Sequence, residues 1–147
     1  MYLRGEDESL RNEYVIIGAH FDHLGMGGPA SRARDTVAVH HGADDNASGV
    51  AALLEIARSF AMSHARPRRT ILFAFWTGEE EGKFGSSHYT RHPRWPLATS
   101  KAYLNLDMIG RDPDNILYVS GTSRQLALKP LIARAAAGAP VAGVRRR

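Results

Sequence analysis

No cysteine occurs in the chain, so disulfides and thiolate metal ligands are both excluded, and any metal must be held by His, Asp and Glu. No stretch approaches the roughly 20 apolar residues of a membrane-spanning helix. The opening segment, Met1 to Asn12, is polar and charged and lacks the apolar run of a signal peptide. Aromatic residues are missing from the basic clusters Arg66, Arg68, Arg69 and Arg145 to Arg147, where a base-stacking surface would need them. The formal charge of +4 therefore reads as solvated charge, and neither nucleic acid nor a membrane is an expected partner.

Hydrophobic residues make up 44% and charged residues 23% of 147 positions, the balance of a globular protein with a packed core. A chain of this length buries roughly two thirds of its unfolded surface, and one domain is the starting expectation. No internal repeat is found.

Tyr14-Val15-Ile16-Ile17-Gly18-Ala19 is short, continuously apolar and β-branched, which predicts a strand buried on both faces and ending at His20. A long glycine-marked loop follows from Phe21 to about Asn46, and structureless connections of that size tend to be functional. From Ser48 to Met62, Val50, Leu53, Ala57, Phe60 and Ala61 recur at helical spacing, and Pro67 closes the segment. Thr70 to Trp76 predicts a second buried strand, Lys101 to Leu106 a third and Ile116 to Val119 a fourth. Helices are predicted over Ser86 to Arg91 and from about Ser123 to Ala137, and residues 135–147 read as an irregular tail. Strands alternating with helices imply an α/β fold.

Three of these strands end in metal-capable side chains: His20, then Glu79 and Glu80, then Asp107. Open α/β sheets bind ligands at the carboxyl ends of their strands, and Asp44 and Asp45 stand just before the first helix, facing the same edge. Adjacent acids brought together unpaired repel one another, and a divalent cation removes that conflict. Zinc accepts this His and carboxylate set; manganese and cobalt accept it as well. Singly, each element has a plainer reading. His20 and Asp22 form a short His-x-Asp pair, Asp44 to Asn46 an Asx turn capping a helix, Glu79 to Glu81 a solvated helix entry, and Asp107 an acceptor of backbone hydrogen bonds. No single plain reading explains why all four lie at the same edge.

In Gly18-Ala19-His20-Phe21-Asp22, Gly42-Ala43-Asp44-Asp45-Asn46-Ala47-Ser48-Gly49, Thr77-Gly78-Glu79-Glu80-Glu81-Gly82 with Phe84-Gly85-Ser86, and Leu104-Asn105-Leu106-Asp107-Met108-Ile109-Gly110, the chain resembles the co-catalytic two-zinc aminopeptidases of bacteria and fungi, secreted leucyl aminopeptidases among them. The resemblance spans roughly Asn12 to Leu131. It implies a mixed, largely parallel α/β sheet flanked by helices, of the zinc-dependent exopeptidase and phosphorylase/hydrolase-like kind. It also implies hydrolysis of the first peptide bond of a peptide with a free amino end.

Residue by residue, the resemblance implies His20 and Asp107 as ligands of one zinc, Asp44 as the carboxylate bridging two, and Glu80 as a ligand of the other. It makes Glu79 the general base and Asp22 the partner of His20, with a cis peptide bond between Asp44 and Asp45. Relatives carry a fifth ligand, a histidine well beyond the third strand, whereas no histidine follows His92 here. His23, His40 and His41 are the loop imidazoles available to substitute for it. These features read as a truncated catalytic domain with a bare sheet edge open to self-association. A zinc glutaminyl cyclase and a non-catalytic zinc-binding fragment are the alternative readings. By resemblance alone, the expected location is secreted or periplasmic.

Overall fold

In the computed structural model, residues 1–33, 35–64, 66–141 and 143–146 are described. The chain divides into two compact units, Met1–Met108 and Ile109–Arg147.

The first unit is built on β2 (Tyr14–His20), β3 (Thr70–Trp76) and β4 (Ser100–Asn105), with a short β1 (Tyr2–Leu3) at one edge. Strand order is β1-β3-β2-β4. β2 pairs parallel with both β3 and β4, placing His20 opposite Trp76 and Gly18 opposite Asn105, while β1 joins β3 antiparallel. The sheet is thus mixed and largely parallel, as expected.

Parallel pairing needs a crossover, and α1 (Gly49–Met62) supplies it between β2 and β3. Its Val50, Leu53, Ile56, Ala57 and Phe60 pack on Ile17, Ala19, Ile71 and Phe73. Leu53 is fully buried there, which contributes about 2 kcal/mol. Ala61, expected on this stripe, is exposed, and Ile56 takes its place. Side chains alternate across a strand, so Ile16, Leu72 and Ala74 face the opposite side, against Trp76, Tyr89 of α2 (Phe84–Arg91) and Trp95. Both faces are covered, which explains why β2 and β3 are continuous apolar runs rather than alternating ones.

A hydrogen-bonded chain crosses β2 from β3 to β4. Trp76 Nε1 donates to Tyr103 Oη (2.9 Å), which donates to Asn105 Oδ1 (2.6 Å). It passes over Gly18, where a Cβ would meet Trp76 Nε1 at 2.6 Å, so only glycine fits beneath it. Salt bridges pin the opposite strand ends: Glu13 pairs with Arg69 (2.6 Å) and Lys101 (3.1 Å), at the starts of β3 and β4.

The second unit comprises β5 (Ile116–Val119), α3 (Leu128–Ala137) and β6 (Gly143–Arg146), with β5 and β6 paired in parallel. Residues 135–147, expected as an irregular tail, therefore include the end of α3 and a strand. α3 begins five residues later than expected. Proline is tolerated only in a helix's first turn, and starting at Leu128 places Pro130 there. No helix among the described residues is long and apolar enough to cross a membrane.

Candidate metal centre

The parallel strands aim their carboxyl ends at one place. β2 delivers His20, whose side chain is only 2% exposed, and β4 runs directly into Asp107. The loop Gly42 to Ser48 descends between them. Gly42 takes a left-handed conformation at φ 63°, the Ala47 N–H donates to Gly42 O at 3.0 Å, and Ser48 Oγ donates to Asp44 O at 2.6 Å. Within this tight turn Asp45 and Asn46 leave helical geometry, with φ −105°, ψ 93° and φ −136°, ψ 39°.

That excursion turns the Asp45 carboxylate into the site. Asp45 Oδ1 lies 3.1 Å from His20 Nε2, and Asp107 Oδ1 lies 3.6 Å from the same nitrogen. The second oxygen, Asp45 Oδ2, lies 3.9 Å from His23 Nδ1, which itself stands 2.7 Å from Glu80 Oε1. The result is two triads that share one carboxylate: His20, Asp45 and Asp107, and His23, Asp45 and Glu80, each with its ligand atoms within 4.8 Å of one another. The structure brings His20, Glu80 and Asp107 to one region, and the carboxylate that the two triads share is that of Asp45; Asp44, the carboxylate expected to be shared, is in neither triad. The cis peptide bond is likewise displaced by one residue, lying between Asp45 and Asn46.

Asp22 supports both triads. Its backbone carbonyl accepts from His20 Nδ1 at 3.1 Å, which puts the ring proton on Nδ1 and turns the Nε2 lone pair toward Asp45 and Asp107. Its Oδ2 accepts the Glu80 N–H at 3.2 Å, fixing the start of the carboxylate run. Its Oδ1 is buried, has no hydrogen-bond partner among the described residues and lies 3.7 Å from His20 Nδ1. Asn46, which the sequence marks only as a turn residue, is 1% exposed and joins the start of α1 to the segment that follows β4. Its amide donates to Leu106 O at 2.9 Å, and its Oδ1 accepts from Gly49 (3.1 Å) and Met108 (3.2 Å).

A lone pair on His20 Nε2 facing two carboxylate oxygens is repulsive unless something positive stands between them. The proton affinities show the same strain. Burial pushes the Asp107 carboxyl up, and Asp45 and Glu79 add to the rise while His20 opposes it. For His20, burial works against protonation, but Asp107, the Asp22 carbonyl, Glu79 and Asp45 outweigh it and raise the pKa. Glu79 therefore stands within electrostatic reach of both ligands. Its other described contact is Lys83 Nζ, 3.5 Å from Oε1. Tetrahedral zinc with ligands at about 2.1 Å separates its ligand atoms by about 3.4 Å. The observed 2.7 to 3.9 Å spans that value, so the donor sets fit zinc in both separation and chemistry.

Comparison with known proteins points the same way. Residues 1–144 match peptidase family M28. A probable zinc metalloprotease from Pyrenophora tritici-repentis is 36% identical over 129 residues, covering 82% of this chain and 28% of the relative. An aminopeptidase from Pseudomonas aeruginosa is 39% identical over 104 residues, covering 67% of this chain and 16% of the relative. The chain thus spans less than a third of these relatives. Among solved structures, a Zn-dependent exopeptidase from Parabacteroides distasonis shares the fold, with a TM-score of 0.62 at 23% identity, over 84% of this chain and 45% of that one.

Proposed function

Because this chain belongs to peptidase family M28, a family of zinc-dependent peptidases, we propose that its site hydrolyses the amino-terminal peptide bond of peptides, with Glu79 as general base and two zinc ions held across Asp45. One observation carries the reading: the two oxygens of a single carboxylate each face a separate imidazole and a separate second carboxylate. His20, Asp45 and Asp107 would hold one ion, and Asp45 with Glu80 the other. Bound zinc supplies Lewis acidity, polarising the scissile carbonyl and lowering the pKa of water.

The chain's own groups supply the rest. Glu79 precedes Glu80, whose N–H is anchored on Asp22, so the base is held beside the ligands rather than on a free loop. Its carboxylate takes a proton from the attacking water and returns it to the leaving amine. The described groups that meet here are predominantly acidic: Asp22, Asp45, Glu79, Glu80 and Asp107. Two divalent ions would offset most of that charge, which is what would let these carboxylates lie together. Lys83, the cation described beside them, faces Glu79.

Release of p-nitroaniline from leucine p-nitroanilide by the zinc-loaded chain tests the reading, with Glu79→Gln alongside. The expected result is turnover in the parent and loss of at least about 100-fold in the variant, with zinc content unchanged, as removal of a general base requires. Full activity in Glu79→Gln would remove it from that role.

A further inference from the structure

We propose that His23 is an imidazole ligand of the second metal ion, holding it together with Asp45 and Glu80. The proposal rests on the two-ion reading above and assigns an imidazole to its second site.

The three loop imidazoles are sorted by their contacts. His40 uses both ring nitrogens elsewhere, Nε2 on Ser31 Oγ (2.7 Å) and Nδ1 on the Ala38 carbonyl (2.9 Å). His41 is exposed. His23 alone among them is drawn inward, its side chain 21% exposed, with Nδ1 at 2.7 Å from Glu80 Oε1 and 3.9 Å from Asp45 Oδ2.

Its position is built rather than incidental. Gly42 lies against the His23 side chain so closely that a Cβ there would meet His23 Cβ at 2.9 Å and Cγ at 3.0 Å. Both partners of the ring are also anchored from behind, Glu80 through its N–H on Asp22 and Asp45 through the buried neighbour Asn46. The triad repeats the His20 triad across the shared carboxylate: one imidazole nitrogen, one oxygen of Asp45 and one outer carboxylate. It differs in presenting Nδ1 where His20 presents Nε2.

Equilibrium dialysis against zinc, with metal counted by mass spectrometry, tests this without any catalytic readout. The parent chain is expected to hold two ions, and His23→Ala one, with His64→Ala as a control holding two. In the parent chain, long-range ¹H–¹⁵N spectra should show the His23 Nδ1 resonance shifting to a metal-bound value as the second equivalent is added, which does not depend on any variant folding. A parent that binds one ion, a variant that keeps two, or an Nδ1 that stays protonated at two equivalents overturns the assignment. Two ions bound through His23 with no hydrolysis of leucine p-nitroanilide would sink the aminopeptidase reading and leave this one standing.

Discussion

The buried amide of Asn46 donates to the backbone carbonyl of Leu106 across 60 residues of sequence, at 2.9 Å. Asn46 follows Asp45, and Leu106 precedes Asp107, so this one bond sets the two carboxylates that meet His20 relative to each other. Asn46→Ala would leave the Leu106 carbonyl and the Gly49 and Met108 N–H groups without their partner. We expect a loss of about 3 kcal/mol, since each unsatisfied buried group costs about 1–3 kcal/mol and the three share one side chain. Urea denaturation measures it, and a zinc titration should show weakened affinity even where the fold survives.

Two neighbouring acids give contrasting expectations. Asp45→Ala removes the carboxylate common to both triads and should abolish binding of both ions. Asp44→Ala should retain both, because the Asp44 carboxylate belongs to neither triad and its backbone carbonyl, which takes the Ser48 hydroxyl, survives the change. Zinc counted on the purified variants decides it, and the opposite pattern would return the bridging role to Asp44.

Asp22→Ala deletes the carboxylate that fixes the Glu80 N–H while leaving the backbone carbonyl that orients His20. Loss of such a supporting group typically costs about 10–100-fold in metal affinity. The weakening should fall more heavily on the ion held by Glu80 than on the one held by His20, which competition with a chromogenic chelator resolves.

A pH effect is expected far from the metal centre. Hydrogen bonds from Lys101 and Arg69 hold the Glu13 carboxyl below its usual value of 4.5. A depressed folded-state pKa stabilises the fold above the unfolded value, and the contribution is lost as pH falls through the folded one. Glu13→Gln should therefore lower the melting temperature slightly at pH 7, and the difference from the parent should shrink as pH is taken below 4.5 toward the depressed value. A gap that widened on acidification would contradict this.

Much of the first unit was legible because its elements are long and strongly patterned. Tyr14–His20 and Thr70–Trp76 are unbroken apolar runs, and the Val50 to Phe60 stripe has helical period, so burial alone dictates them. The edge of the sheet where His20, Glu80 and Asp107 meet follows from those strands. Which of two adjacent aspartates enters the site does not, because it depends on the backbone of the turn, where Asp45 sits at φ −105° and ψ 93°. Spacing cannot separate side chains one residue apart. Asn46 was hidden for a related reason: its three bonds reach Gly49, Leu106 and Met108, two of them remote in sequence. Gly143–Arg146 escaped notice because one valine among glycine and arginine carries no strand period, and its pairing with Ile116–Val119 is what extends it.

The strands that carry the centre pair only with distant partners, Tyr14 with Thr70 on one side and Ser100 on the other. No local stretch of chain can therefore assemble even one triad: His20 and Asp107 are neighbours only once β2 and β4 lie side by side. On the proposed reading, metal capture and completion of the sheet form one equilibrium, because an ion binds the folded chain alone. Chelation should accordingly lower the unfolding midpoint, and zinc uptake would serve as a census of correctly assembled molecules.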